Sequence, residues 1–187
     1  MKLVLASKSP RRKEILERLG YEFIVDASNF EESEIREHDV KRLVMQIARG
    51  KAEKAAAKHK DSVIIAADTA VYFKEKIIGQ PKDAEEAEKM IKSLLGEVHE
   101  VHTGLYLINT KSGKTAKSYE VSRVKLNRVS KEILTEYISA GSYEGKAGAY
   151  NISDPNFSSF VESVEGSYTN IMGLPLEQIN SLLKQVE

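Results

Sequence analysis

Val63-Ile64-Ile65-Ala66-Ala67 is an unbroken apolar run of strand length. A strand wetted on one face alternates polar with apolar residues, whereas one without alternation is covered on both faces. A chain built around such a run needs layers above and below a sheet, and the flanking pattern supplies them. Helices are expected over Pro10 to Leu19, Val40 to Lys58, Asp83 to Leu95 and Ser130 to Ser139, and from Pro175 onward. In the second of these, Val40, Leu43, Val44, Ile47 and Ala48 recur at helical spacing, with Gly50 a weak point in its middle. Strands are expected at Lys2 to Ala6, Tyr21 to Val25, Val98 to Ile108 and Ala116 to Leu126, the last two joined by a turn at Lys111-Ser112-Gly113-Lys114. Val71 to Ile78, interrupted by Lys74-Glu75-Lys76, reads as a hairpin, and Phe157 to Val164 suits either a strand or a helix. Strands alternating with helices, plus two long adjacent strands, predict an α/β domain with a mixed sheet. The 187 residues contain no repeat or linker and suit one domain, 1–187, of two lobes.

Composition narrows the function classes. Hydrophobic residues make up 41% and charged residues 30%, so the chain can bury a core. Lys plus Arg (28) equals Asp plus Glu (28), which argues against broad nucleic-acid binding. With no cysteine, disulfides, thiolate metal sites and cysteine nucleophiles are excluded. No segment approaches the roughly 20 apolar residues of a membrane span, so a soluble cytoplasmic protein without a membrane partner is expected.

Leu5-Ala6-Ser7-Lys8-Ser9-Pro10-Arg11-Arg12 carries an apolar strand into a basic helix start. Ser9 suits the N-cap and Pro10 the first helical position. Two arginines in the first turn oppose the helix dipole, which prefers acidic residues there. An anion bound at the helix end would resolve the conflict, and pairing with surface carboxylates is the alternative.

Asp68-Thr69 closes the apolar run, where a carboxylate is costly unless paired or bound to a metal; a turn cap is the alternative. An acidic loop carries Glu31 and Glu32, which with Asp68 would suit Mg²⁺ shared with substrate phosphates. Lys146-Ala147-Gly148-Ala149-Tyr150, Gly166-Ser167-Tyr168 and Gly173-Leu174-Pro175-Leu176 fit either close backbone approach to a ligand or tight loop packing. His38, His59, His99 and His102 form no ligand set, and neither a GxxxxGK[ST] nor a GxGxxG loop is present.

Taken in order, Leu5-Ala-Ser-Lys-Ser-Pro-Arg-Arg12, Ala67-Asp68-Thr69-x-Val71, Gly79-x-Pro81, Lys146-Ala-Gly-Ala-Tyr150 and Gly166-Ser-Tyr…Gly173-Leu-Pro-Leu176 resemble the Maf proteins. These are nucleotide pyrophosphatases, also described as septum-formation inhibitors, that share a fold with inosine triphosphate pyrophosphatases. The resemblance implies an elongated mixed, twisted sheet flanked by helices, in two lobes around a central cleft. It implies Mg²⁺- or Mn²⁺-dependent hydrolysis of a nucleoside triphosphate, of the dTTP/UTP type or non-standard, to monophosphate and diphosphate. On matching positions, Ser7, Arg11 and Arg12 would contact the triphosphate, and Glu32 and Asp68 would serve metal or water. Asp68 would be the proton acceptor, Thr69 and Arg12 would bear on substrate choice, and Lys146 would bind substrate. The resemblance also carries a homodimer. Two positions depart from it: Gln80 stands where a lysine is usual, and Ser153 where the pyrimidine branch has a glutamine that bears on the base. Those departures support an alternative, a non-catalytic nucleotide-binding regulator of septum formation and cell division.

Overall fold

The computed structural model describes residues 2–27 and 29–187. Strands are β1 (Lys2–Leu5), β2 (Phe23–Val25), β3 (Ser62–Phe73), β4 (Lys76–Ile78), β5 (Val98–Asn109), β6 (Thr115–Leu126) and β7 (Val161–Glu165). Helices are α1 (Pro10–Arg18), α2 (Val40–Ala56), α3 (Ala84–Leu94), α4 (Lys131–Ser139), α5 (Tyr168–Ile171) and α6 (Leu176–Val186). The seven strands form one mixed sheet in the order β2-β1-β3-β5-β6-β7, with β4 paired to β3. β1 runs parallel to both β2 and β3, while β3–β4 and β6–β7 are antiparallel. No helix among the described residues is long and apolar enough to cross a membrane.

The chain divides into two compact units, one of residues 1–69, 103–120 and 173–187, the other of 70–102 and 121–172. In the first, Val4 and Ala6 with Ile64 and Ala66 pack against Ala52 and Ala55 of α2. The alternation of side chains along a strand puts positions 64, 66 and 68 on that same face. In the second, the rings of Tyr150 and Phe157 stack at 4.7 Å and those of Phe157 and Phe160 at 4.5 Å, with Tyr137 tilted against both phenylalanines.

One expectation about local structure changes, and one left open resolves. The strand does not stop where the apolar run does, at Asp68-Thr69: β3 continues to Phe73, so both residues lie in mid-strand. The extended backbone persists because β4 pairs with its far end, matching Val71 to Ile78 and Phe73 to Lys76. The turn between them, Lys74 and Glu75, has both residues in the left-handed region, as a tight hairpin requires. Phe157 to Val164 is both things considered for it, a 3-10 turn over Pro155–Phe160 followed by β7. Its N-terminus is capped by Asp154, whose side chain accepts from Asn156 N at 3.0 Å.

Candidate active site

Helix α1 starts as its residues dictate. Ser9 Oγ accepts from the Arg12 backbone N, Pro10 opens the helix, and no acidic residue occupies the first turn. Ser9 N in turn donates to Ser7 Oγ at 3.2 Å, which folds the strand end back onto the helix start. Arg11 is partly exposed in that first turn.

Arg12 points inward and is only 9% exposed. Its Nε donates to the Gly173 carbonyl at 2.8 Å, Nη1 to Ser7 Oγ at 3.1 Å and Nη2 to Thr69 Oγ1 at 3.2 Å. The guanidinium thus clamps three segments far apart in sequence. Burial works against its charge, while Asp68 and then Glu32 favour it; an arginine so placed stays protonated. Gly173 is required at its end of the clamp. Its φ of 101° is left-handed, and a Cβ there would stand 3.2 Å from Thr69 Oγ1 and 3.3 Å from Arg12 Nε. Behind Thr69, the fully buried Thr103 shares a hydroxyl–hydroxyl hydrogen bond with it at 2.9 Å.

Asp68 shares the Ile64 and Ala66 face of β3 and therefore looks at α2, which answers with Lys51. Lys51 Nζ lies 2.8 Å from Asp68 Oδ1 and 2.8 Å from Glu32 Oε1. Glu32 opens a 3-10 turn, Glu32–Glu34, and is half-exposed. Burial pushes the Asp68 carboxyl above the usual carboxylate range, and Lys51 and Arg12 pull in the opposite direction. Two carboxylates converging on one ammonium form a donor set that fits a hard divalent cation, since Mg²⁺ is commonly held by one or two carboxylates plus substrate oxygens and water. Among the described residues no group of three or more His, Cys, Asp or Glu is gathered to hold a metal, at this pair or elsewhere.

The second unit carries the glycine-rich segment. Gly148 N donates to the Gly79 carbonyl at 3.0 Å, and Tyr137 OH donates to the carbonyls of Ala149 and Ser142 at 3.2 Å each. Lys146 Nζ donates to the Ser142 carbonyl within its own loop. Gln80 is exposed. Exposed Ser153 donates through Oγ to Asn151 Oδ1 at 3.0 Å, and its N approaches the same oxygen at 3.3 Å, closing a local side-chain turn.

The profile of the family described as Maf-like protein matches residues 2–186. This chain belongs to the Maf family. A dTTP/UTP pyrophosphatase of Clostridium acetobutylicum is 42% identical over 193 residues, covering 98% of this chain and 96% of the relative. One of the same description from Pyrococcus furiosus is 42% identical over 184 residues, covering 98% and 94%. Another, from Thermoanaerobacter sp., is 41% identical over 186 residues, covering 99% and 96%.

In this Maf chain, Ser7, Arg12 and Thr69 form one hydrogen-bonded cluster, and Glu32 and Asp68 meet through Lys51; Lys146 and Ser153 belong to the other unit. Sequence reasoning did not single out Lys51. Its signal was positional: Val44, Ile47, Ala48, Ala52 and Ala55 are the buried stripe of α2, and Lys51 falls within it, only 11% exposed. A lysine inside an apolar helical stripe needs a buried partner.

Proposed function

We propose that this chain is a nucleoside triphosphate pyrophosphatase that cleaves the α–β phosphate bond of dTTP and UTP, releasing the nucleoside monophosphate and diphosphate. The observation that carries the reading is the Asp68 carboxylate, buried, bound to Lys51 and next to Glu32, in a chain whose relatives over nearly its whole length are named dTTP/UTP pyrophosphatase.

Asp68 is the proton acceptor. Its raised proton affinity brings a carboxylate closer to the operating range of a general base. Lys51 holds Oδ1, leaving Oδ2 to orient the attacking water and take its proton. The water oxygen bonds to the α-phosphorus, the bond from that phosphorus to the bridging oxygen breaks, and diphosphate leaves with the electron pair. Arg11 and the N-terminus of α1 meet the phosphate chain, where the positive end of the helix dipole and a guanidinium favour anions. Ser7 and Thr69 line the same cluster, and Arg12 fixes their hydroxyls. Glu32 and Asp68 are the residues that would hold a divalent cation, Mg²⁺ or Mn²⁺, whose positive charge offsets that of the phosphates. Lys146 and Ser153 are proposed as further substrate contacts, Lys146 toward phosphate and Ser153 toward the base. A cytoplasmic location and a homodimer complete the proposal, and gel filtration tests the latter.

Incubation with each triphosphate and Mg²⁺, followed by product analysis, tests the reading. Diphosphate and monophosphate from dTTP and UTP are expected. Orthophosphate as first product would refute the cleavage site. Binding without turnover would favour the nucleotide-binding regulator, which the Gln80 and Ser153 departures support.

A further inference from the structure

Gly50 lies inside α2, at a position where glycine weakens a helix. Its backbone does not ask for glycine, since it is absent from the residues with positive φ. The reason is what rests on it. A Cβ built on Gly50 would stand 2.3 Å from both Cε2 and Cζ of Phe30 and 3.0 Å from Cδ2. The Phe30 ring therefore fills the space where any other side chain would begin.

The neighbouring chain is tied to the same helix. Lys54 Nζ, one turn beyond Gly50, donates to the Asn29 carbonyl. Two residues past Phe30, Glu32 Oε1 reaches Lys51 Nζ at 2.8 Å. Positions 29, 30 and 32 thus meet 54, 50 and 51 of α2. The segment is otherwise acidic, with Glu31, Glu32 and Glu34 exposed. An ion pair with a half-exposed carboxylate contributes little to holding a loop. An aromatic ring seated on bare helix backbone contributes much more.

We infer that Gly50 and Phe30 form a lock that positions Glu32 beside Lys51 and Asp68, making both positioning residues for the reaction. The inference rests on the reading of Lys51, Asp68 and Glu32 as the reacting centre. Neither residue offers a group that does chemistry. Both act by fixing the path of the acidic segment.

Gly50→Ala separates positioning from stability, because alanine is the better helix former and its Cβ evicts the ring. Three quantities are measured on the full chain: Tm, hydrogen exchange at the Ile35 amide, which donates to the Glu32 carbonyl at 3.1 Å, and kcat/KM for dTTP with Mg²⁺. G50A is expected to keep its Tm within about 3 °C of the wild type, the gain in helix propensity offsetting the lost ring contact. Exchange at the Ile35 amide rises about tenfold or more, as a loosened local turn requires. The value of kcat/KM falls about tenfold, in keeping with the cost of small misplacements near a reacting centre. Phe30→Ala gives the same two losses, and the G50A/F30A double variant is no worse than F30A alone. Unchanged exchange and unchanged kcat/KM in G50A overturn the lock. So do losses that add in the double variant, and so does an activity loss that merely follows a lowered Tm. If the wild type fails to hydrolyse dTTP, the proposed function falls instead, and the exchange data alone decide the lock.

Discussion

Lys51 Nζ stands 2.8 Å from Asp68 Oδ1, and both side chains are almost wholly buried, at 11% and 12% exposure. Such a pair is costly to form and more costly to break from one side. Lys51→Met leaves the Asp68 charge buried with its nearest partner gone, and is expected to lower stability by about 3–5 kcal/mol. Asp68→Asn leaves Lys51 its Glu32 partner, so Tm changes little while kcat falls ~10²-fold or more. The K51M/D68N double variant is then more stable than K51M alone. Denaturant melts and steady-state rates on the three variants check this; a K51M as stable as wild type would contradict it.

Arg12→Lys probes the clamp. The guanidinium serves Gly173 O, Ser7 Oγ and Thr69 Oγ1 at once, a geometry no ammonium reproduces. Stability should fall by about 2 kcal/mol or more as charge-assisted bonds are lost. Discrimination between dTTP and other triphosphates should weaken as well, because the Thr69 hydroxyl is no longer held. Gly173→Ala, which forces a Cβ against Thr69 and Arg12 at a left-handed φ, should reproduce both effects. A loss of stability without any change in selectivity would make the clamp merely structural.

Much of the scaffold was legible in short stretches. Ser9-Pro10 opens α1, Asp83 caps α3 by accepting from Glu86 N at 2.8 Å, and Lys74-Glu75 turns the hairpin. These features depend on neighbours within a turn or two, where propensity and capping operate. The site depends on contacts that no local pattern encodes. Arg12 meets the Gly173 carbonyl across 161 positions, and Lys51 meets Asp68 from a different element. The apolar run suggested that a strand ends at Asp68, because a carboxylate after five apolar residues resembles punctuation. The strand instead continues, with Lys51 and Arg12 offsetting the buried charge.

His99 makes a pH prediction for the second unit. It is 2% exposed, its Nε2 lies 2.7 Å from Tyr150 OH, and its Nδ1 is buried without a hydrogen-bond partner. Burial lowers its pKa from 6.5 to about 4. Between those values the unfolded chain binds a proton that the folded chain does not, so stability is complete above the unfolded value and is lost as pH falls. His99 should therefore account for about 2 kcal/mol of the stability lost between about pH 7 and pH 5. Denaturant melts of wild type and His99→Gln over that range check the difference in slope; parallel pH curves would contradict it.

Asp68, in the proposed reaction, directs water at the α-phosphorus of a pyrimidine nucleoside triphosphate. Hydrolysis of dTTP in ¹⁸O-water, with mass analysis of both products, tests it most directly. One labelled oxygen is expected in the nucleoside monophosphate and none in the diphosphate, with ~10²-fold slower label incorporation in Asp68→Asn. Label in the diphosphate, release of orthophosphate, or an unchanged rate in that variant would contradict it.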